Sequence, residues 1–466
     1  MEYISTRGSA PALDFEDVTL AGLASDGGLY LPIEWPRFPA EEIAAMRGLS
    51  YPELATRVML PFVGESLSEN ELRNLCGQAY GRFAHVAVTP LVQLDAQHWL
   101  LELFHGPTLA FKDVALQLLG LLFETFLTRR QQQLTIVGAT SGDTGSAAID
   151  AVAGRDNIDI FMLHPEGRIS DVQRCQMTTV NAPNVHNIAI AGSFDDAQAM
   201  VKRMFVDEAL TSRFRIGAVN SINWARLMAQ IVYYFAAALQ LGAPDRRVAF
   251  SVPTGNFGDV FAGYVAARMG LPIERLVVAT NVNDILHRAL SQNDYSAGKV
   301  TPTSAPSMDI QVSSNFERLL FDCGDRDGVA LAQQMKGFDA EKALKLTERQ
   351  LGGAAELFTS CRADESEMAQ AMRWASENCG QILDPHTAIG LHAARMQDCP
   401  AEVPIVTLAT AHPAKFRDPV ERATGFRPSL PARVGDLFAR QERCTSLPGH
   451  YETVRDFIAD NATPSN

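Results

Sequence analysis

The chain has 466 residues, 47% of them hydrophobic and 20% charged, a balance that fits a folded globular chain and excludes a disordered one. A formal net charge of −14 argues against a nucleic-acid binder and against docking on an anionic membrane surface. It leaves room for a small anionic ligand, because local backbone amides can outweigh the global charge.

The length allows roughly three domain-sized units. Seven scattered cysteines (Cys76, Cys175, Cys323, Cys361, Cys379, Cys399 and Cys444) form no CxxC pair and no metal-type spacing, so reduced thiols, a cytoplasmic setting and no metal site are expected. Residues 1–7 lack an apolar core, and no secretory signal is expected. The longest apolar run, 114–127, is interrupted by Gln117 and Glu124 and predicts a buried helix, not a bilayer span.

In chain order, an opening block of about 90 residues predicts helices over 15–24, 41–47 and 51–60, with Asp26-Gly-Gly-Leu-Tyr-Leu-Pro32 as a glycine turn leading into an extended piece. Extended segments follow at 88–92 and 99–104. The stretch His105-Gly-Pro-Thr-Leu-Ala-Phe-Lys-Asp113 then sets one lysine, Lys112, at the head of the long apolar helix. Desolvation lowers a lysine's pKa and makes its amine nucleophilic, as a Schiff base requires, whereas a snorkelling lysine at a helix start is the plain alternative. His105 reads as a turn residue.

Strands at 134–137, 159–163, 185–190 and 214–219 alternate with helices at 146–153, 169–178 and 194–210. This is the pattern of βαβ units in a parallel sheet. Further on come a helix over 220–241, a strand at 247–252, a helix over 259–269 and strands at 276–280 and 405–408. The charged region 325–380 reads as a peripheral helical insertion broken at Gly352-Gly353, and the polar tail beyond about 445 as loosely held. Together these divide the chain into an N-terminal domain (1–90), a large domain (91–129 with 221–445) and a small α/β lobe (130–220).

Two glycine loops share one design: a strand ends, small and hydroxyl residues follow, and a helix begins. These are Thr140-Ser-Gly-Asp-Thr-Gly145 and Gly255-Asn-Phe-Gly258. Free N–H groups at such a helix start bind anions. Neither loop matches a P-loop or a GxGxxG fingerprint. Two anion loops and a placed lysine suit pyridoxal 5′-phosphate (PLP), which brings an aldehyde, a phosphate and an electron-sink ring.

His105–Asp113, Ala139–Gly145, Gly255-Asn-Phe-Gly-Asp259 and Ala411-His-Pro-Ala-Lys-Phe416 resemble the signature stretches of the threonine synthase family, bacterial and fungal branch. The opening Tyr3-Ile-Ser-Thr-Arg7 and Gly27-Gly-Leu-Tyr-Leu-Pro32 resemble that branch's N-terminal domain. The resemblance implies PLP fold-type II architecture (tryptophan synthase β-like) and conversion of O-phospho-L-homoserine and water to threonine and phosphate. By the same resemblance Lys112 carries the cofactor and shuttles protons, Gly255, Asn256, Phe257 and Gly258 cradle its phosphate, Thr410 meets the pyridine nitrogen, and Asp143 lies near the ring oxygen. Thr140, Ser141, Gly142 and Thr144 match the substrate loop, and Asn223, Arg226, His412 and Lys415 are candidates for the substrate phosphate. Ser313-Ser-Asn-Phe316 either lines the site or caps the helix that follows. A monomer or homodimer is expected, with small-molecule partners only. The competing functions are a related phospholyase yielding a keto acid and a non-enzymatic α/β phosphate-binding protein.

Overall fold

The structure is a computed structural model, and it describes every residue except Ser141, Arg168 and Asn466. Two parallel sheets organise it. The larger has six strands in the order Phe358–Arg362, Ile273–Thr280, Val248–Pro253, Ile405–Ala409, His98–Glu102 and Leu91–Gln93, with only the last pair antiparallel. The smaller runs Thr445–Leu447, Val185–Ile190, Ile158–Pro165, Leu134–Ala139 and Ile216–Gly217, all parallel. Val248–Pro253, Ile405–Ala409 and Ile158–Pro165 are buried at every position. That is why these strands read as mainly apolar runs and not as alternating ones, with Asp159, His164, Ser251 and Thr407 as buried polar exceptions.

Helix Lys112–Arg130 lies at the centre. Every residue from Lys112 to Phe123 is buried, between Asp143–Val152 of the small lobe and Trp224–Gln240 of the large one. Gln131, in a left-handed conformation, ends it and returns its N–H to Leu127 and Thr128. The N-terminal residues form a two-stranded ribbon, Tyr3–Ser5 with Tyr30–Pro32, and pack helices Tyr51–Val63 and Glu69–Tyr80 on this core.

The structure departs from the sequence reading in several places, among them the following. Helix Glu69–Tyr80 was not predicted, although Ser68 and Glu71 form a capping box at its start. The region 325–380 is not a peripheral insertion: Phe358–Arg362 is an edge strand of the large sheet, and helix Glu365–Cys379 packs on helix Pro385–Arg395. Gly352 and Gly353 lie inside helix Glu348–Ala355, which the Thr347–Gln350 capping box and the burial of Gln350 and Ala354 support despite the glycines' poor helix propensity. The tail is tied down: Thr445–Leu447 pairs with Val185–Ile190, and helix Tyr451–Asn461 buries Tyr451, Val454 and Ile458 against the small sheet. A three-residue polar strand leaves no hydrophobic signature, since backbone hydrogen bonds place it.

Candidate active site

Lys112 is fixed by its neighbours before its helix starts. Phe111 N donates to Thr410 O at 2.8 Å, His412 N donates to Leu109 O at 3.0 Å, and Ala110 bridges Ala411. The loop before the helix is thus zipped to the segment leaving strand Ile405–Ala409, which puts Lys112 and Thr410 side by side at the carboxyl ends of the strands. This is where ligands bind in open α/β sheets.

The lysine is 7% exposed, and its Nζ lies 3.6 Å from Asp143 Oδ2. Asp143 opens helix Asp143–Val152 of the small lobe. Its Oδ1 also takes Lys415 Nζ at 2.8 Å and Gln173 Nε2 at 2.8 Å. Burial lowers the Lys112 pKa; Asp143 opposes this, while the Arg226 and Lys415 cations add to it. For Asp143 burial pulls upward, but the two lysines outweigh it and hold the carboxyl well below the usual range. Among the described residues Asp143 is therefore a buried anion between two amines, one of which is the candidate nucleophile.

The loop 254–258 leaves strand Val248–Pro253 and enters helix Gly258–Arg268. Phe257 adopts φ 62°, a left-handed turn that points successive amides the same way. The N–H groups of Gly255, Asn256 and Phe257 find no acceptor among the described residues. A side chain at Gly255 would place its Cβ 2.7 Å from Ser307 O, so only glycine allows this close approach. The loop has the donors and the helix dipole that a phosphate needs. Asp259, just behind it, is pushed up to about 6 by burial; the Tyr233 and Tyr234 hydroxyls donate to it, and its Oδ2 has no partner among the described residues.

Arg226 sits in the first turn of Trp224–Gln240, 5% exposed, with its pKa lowered by burial to about 10. Its Nη1 is buried and lacks a partner among the described residues. An unsatisfied guanidinium nitrogen deep in a protein is costly unless a ligand completes it. Thr410 is buried, and its hydroxyl bonds to no described group. A nucleophilic amine, an amide-lined cradle, a neutral hydroxyl and an unsatisfied cation together fit a phosphate-bearing aldehyde cofactor and a second anion beside it.

Other candidates are engaged elsewhere. Asn223 caps its helix by accepting from Ala225 N at 3.0 Å, and its Nδ2 donates to Thr19 O at 2.8 Å. Lys415, 1% exposed, bonds Thr108 O at 2.7 Å besides Asp143. His412 accepts from Ala414 N through Nδ1, and burial first, then Arg433 and His105, drive its pKa to about 4, so it is neutral. Thr140 Oγ1 accepts from Gly142 N and Gly145 N, both at 2.9 Å, shaping the loop around Gly142 (φ 138°), where a Cβ would strike Gln173. Thr144 is half-buried in the first turn of the helix; Ser141 lies outside the described residues. His105 pairs with Glu102 at 2.7 Å, as befits a turn residue.

One supporting group escaped the sequence reading. Asp384, fully buried, caps helix Pro385–Arg395 by accepting from His386 N, Thr387 N and the Thr387 hydroxyl, and it takes His386 Nδ1 at 2.8 Å. Thr387 Oγ1 in turn accepts from Thr410 N at 3.2 Å, and His386 Nε2 from Ser307 N at 3.2 Å. Asp384-Pro385 is a legible helix start, but its reach to Thr410 and to the Ser307 turn behind Gly255 exists only in three dimensions. Thr387→Val is expected to lower stability by about 1–3 kcal/mol, because the Thr410 N–H loses its acceptor and Asp384 a donor. Urea denaturation measures it.

Fold and site together define a pyridoxal-phosphate-dependent enzyme of fold type II. The family model described as pyridoxal-phosphate dependent enzyme matches residues 83–411, flanked by those for the threonine synthase N terminus over 2–80 and the threonine synthase C-terminal region over 387–458. The chain is 56% identical to threonine synthase of Pseudomonas aeruginosa, over 99% of this chain and 98% of that protein. It is 43% identical to threonine synthase of Schizosaccharomyces pombe, over 91% and 89%. Among solved structures, PLP-bound threonine synthase from Brucella melitensis superimposes with a TM-score of 0.96 at 52% identity, covering 99% of each chain. The yeast enzyme gives 0.94 at 39%, covering 99% of this chain and 98% of that one. The chain belongs to the threonine synthase family.

Proposed function

We propose that the protein converts O-phospho-L-homoserine and water to L-threonine and phosphate, with pyridoxal phosphate linked to Lys112. The observation that carries this reading is a buried, pKa-lowered Lys112 beside Asp143 and next to an amide cradle at the strand ends. When bound, the cofactor supplies an aldehyde for the amine and a ring that withdraws electrons from the substrate's Cα.

The chain's own groups do the rest. Gly255, Asn256, Phe257 and Gly258 hold the cofactor's phosphate. Thr410 offers a neutral hydroxyl to the ring nitrogen and does not protonate it as a carboxylic acid would. Asp143 holds the Lys112 amine in place. Lys112, once free, moves protons at the substrate carbons, and Arg226 takes the substrate's phosphate on its unpaired nitrogen. Thr140, Ser141, Gly142 and Thr144 form the loop over the substrate. Asn223, Lys415 and His412 act as cap, counter-ion and turn residue, and not as phosphate ligands. Seven unpaired thiols suit a reducing cytoplasm, and the net charge of −14 argues against a nucleic-acid partner. A monomer or homodimer serves this chemistry equally.

The test is to supply O-phospho-L-homoserine and follow phosphate and threonine. Equal amounts of the two support the reading, whereas 2-oxobutyrate and ammonia in place of threonine would assign a phospholyase. Gly255→Ala is expected to weaken PLP binding about tenfold or more, because its Cβ would press on Ser307 O and displace the cradle. Titration of apoenzyme with PLP measures it. Pyridoxal, which lacks the phosphate, should bind both forms alike.

A further inference from the structure

The segment Ser313–Phe316 enters helix Phe316–Cys323, and Asn315 stands at the capping position, yet its side chain makes no capping bond. It points the other way. Asn315 Nδ2 donates to Asn256 O and to Ser221 O, both at 3.0 Å, and Asn315 N donates to Asn256 O at 3.1 Å. Its Oδ1 accepts from Arg318 Nη1. Arg318 is fully buried, and its Nε and Nη2 reach Tyr30 O at 3.1 and 3.0 Å, with Nη2 also on Ile222 O at 2.6 Å. Ser313 Oγ donates to Gly255 O at 2.7 Å.

Three separate pieces of chain meet on this pair: the ribbon strand Tyr30–Pro32 of the N-terminal segment, the linker 220–223 and the loop 254–258. The linker leads within one turn to Arg226. Interiors fix such joints with apolar contacts at lower cost, since burying a guanidinium is expensive unless its hydrogen bonds are complete. Here they are directional and aimed at backbone carbonyls. The amide nitrogen lies so close that a Cβ on Gly258 would stand 3.2 Å from it.

We propose that Asn315, backed by Arg318, is a positioning residue that locks the phosphate loop to the linker and so sets the spacing between the cofactor's phosphate and Arg226. The inference rests on the proposed roles of the 255–258 loop and Arg226. It also gives the N-terminal segment a part in the site, because the Tyr30 carbonyl anchors the far side of the guanidinium.

Asn315→Asp tests it. The aspartate keeps an acceptor for Arg318 but turns an oxygen toward two carbonyls. PLP affinity is expected to fall about tenfold or more while pyridoxal affinity stays within about twofold. At saturating PLP, KM for O-phospho-L-homoserine should rise about tenfold, with kcat falling less. If this variant does not fold, Arg318→Lys carries the same expectation, because a single ammonium cannot span Asn315, Tyr30 and Ile222 together. A variant that only melts earlier, with PLP affinity and KM unchanged, overturns the proposal. Weakened PLP binding in Gly255→Ala but not in Asn315→Asp overturns it alone. Unchanged binding in both overturns the loop assignment and the proposal with it.

Discussion

Lys112→Ala should lose about 10⁴-fold or more in turnover of O-phospho-L-homoserine, together with the visible absorption of the bound cofactor. The amine is buried, its pKa is lowered by desolvation, and Asp143 holds it 3.6 Å away. The neighbouring lysine is not free to replace it: Lys415 is tied to Asp143 and to Thr108 O. The variant should still fold, since Asp143 keeps Lys415 and Gln173, each at 2.8 Å, and no buried anion is left alone. A thermal melt near that of the parent, with absorption and turnover gone, assigns the loss to chemistry and not to packing. Retained turnover would remove Lys112 from the mechanism.

The local parts of this site were legible in sequence and the joints between them were not. Lys112 at a loop-to-helix transition, and two strand–glycine–helix turns, follow from short-range rules, and the strands that carry them are buried on both faces and so appear as apolar runs. What holds the parts together crosses tens to hundreds of positions. Asp143 meets Lys415, Asn315 meets Ser221 and Asn256, and Asp384 reaches Thr410 through Thr387. None of these pairings leaves a periodic trace. The same reason explains the misread edge strand Phe358–Arg362 and the polar tail strand Thr445–Leu447, both recruited by backbone hydrogen bonds to a sheet formed elsewhere. Asn223, Lys415 and His412 are polar residues near the right stretches, and their three-dimensional partners, beside the Arg226 nitrogen that has none among the described residues, are what favours Arg226 in the proposed reading.

The second large effect concerns the Lys112–Asp143–Lys415 cluster, where Asp143 and Lys415 act on the Lys112 amine with opposite signs. Lys112 takes a proton only as the free amine, so activity rises with pH as that amine deprotonates. Lys415 contributes a nearby positive charge that lowers the Lys112 pKa, whereas Asp143 contributes a negative one that raises it. Removing the cation in Lys415→Met leaves Asp143 opposed only by burial and the Arg226 cation. The Lys112 pKa rises, and the acid limb of the kcat profile should move to higher pH. Removing the anion in Asp143→Asn does the reverse: two amines then face each other, each disfavouring the other's proton, and the limb should move to lower pH. Both variants break a buried ion pair and should cost about 3 kcal/mol of stability, so stability alone does not tell them apart. The direction of the pH shift does, and it is read from full pH profiles at saturating PLP and substrate. Shifts of the same sign, or none, would mean that Asp143 and Lys415 serve only to join the two lobes. Opposite shifts would mean that this link between the lobes also sets the basicity of the amine on which turnover depends.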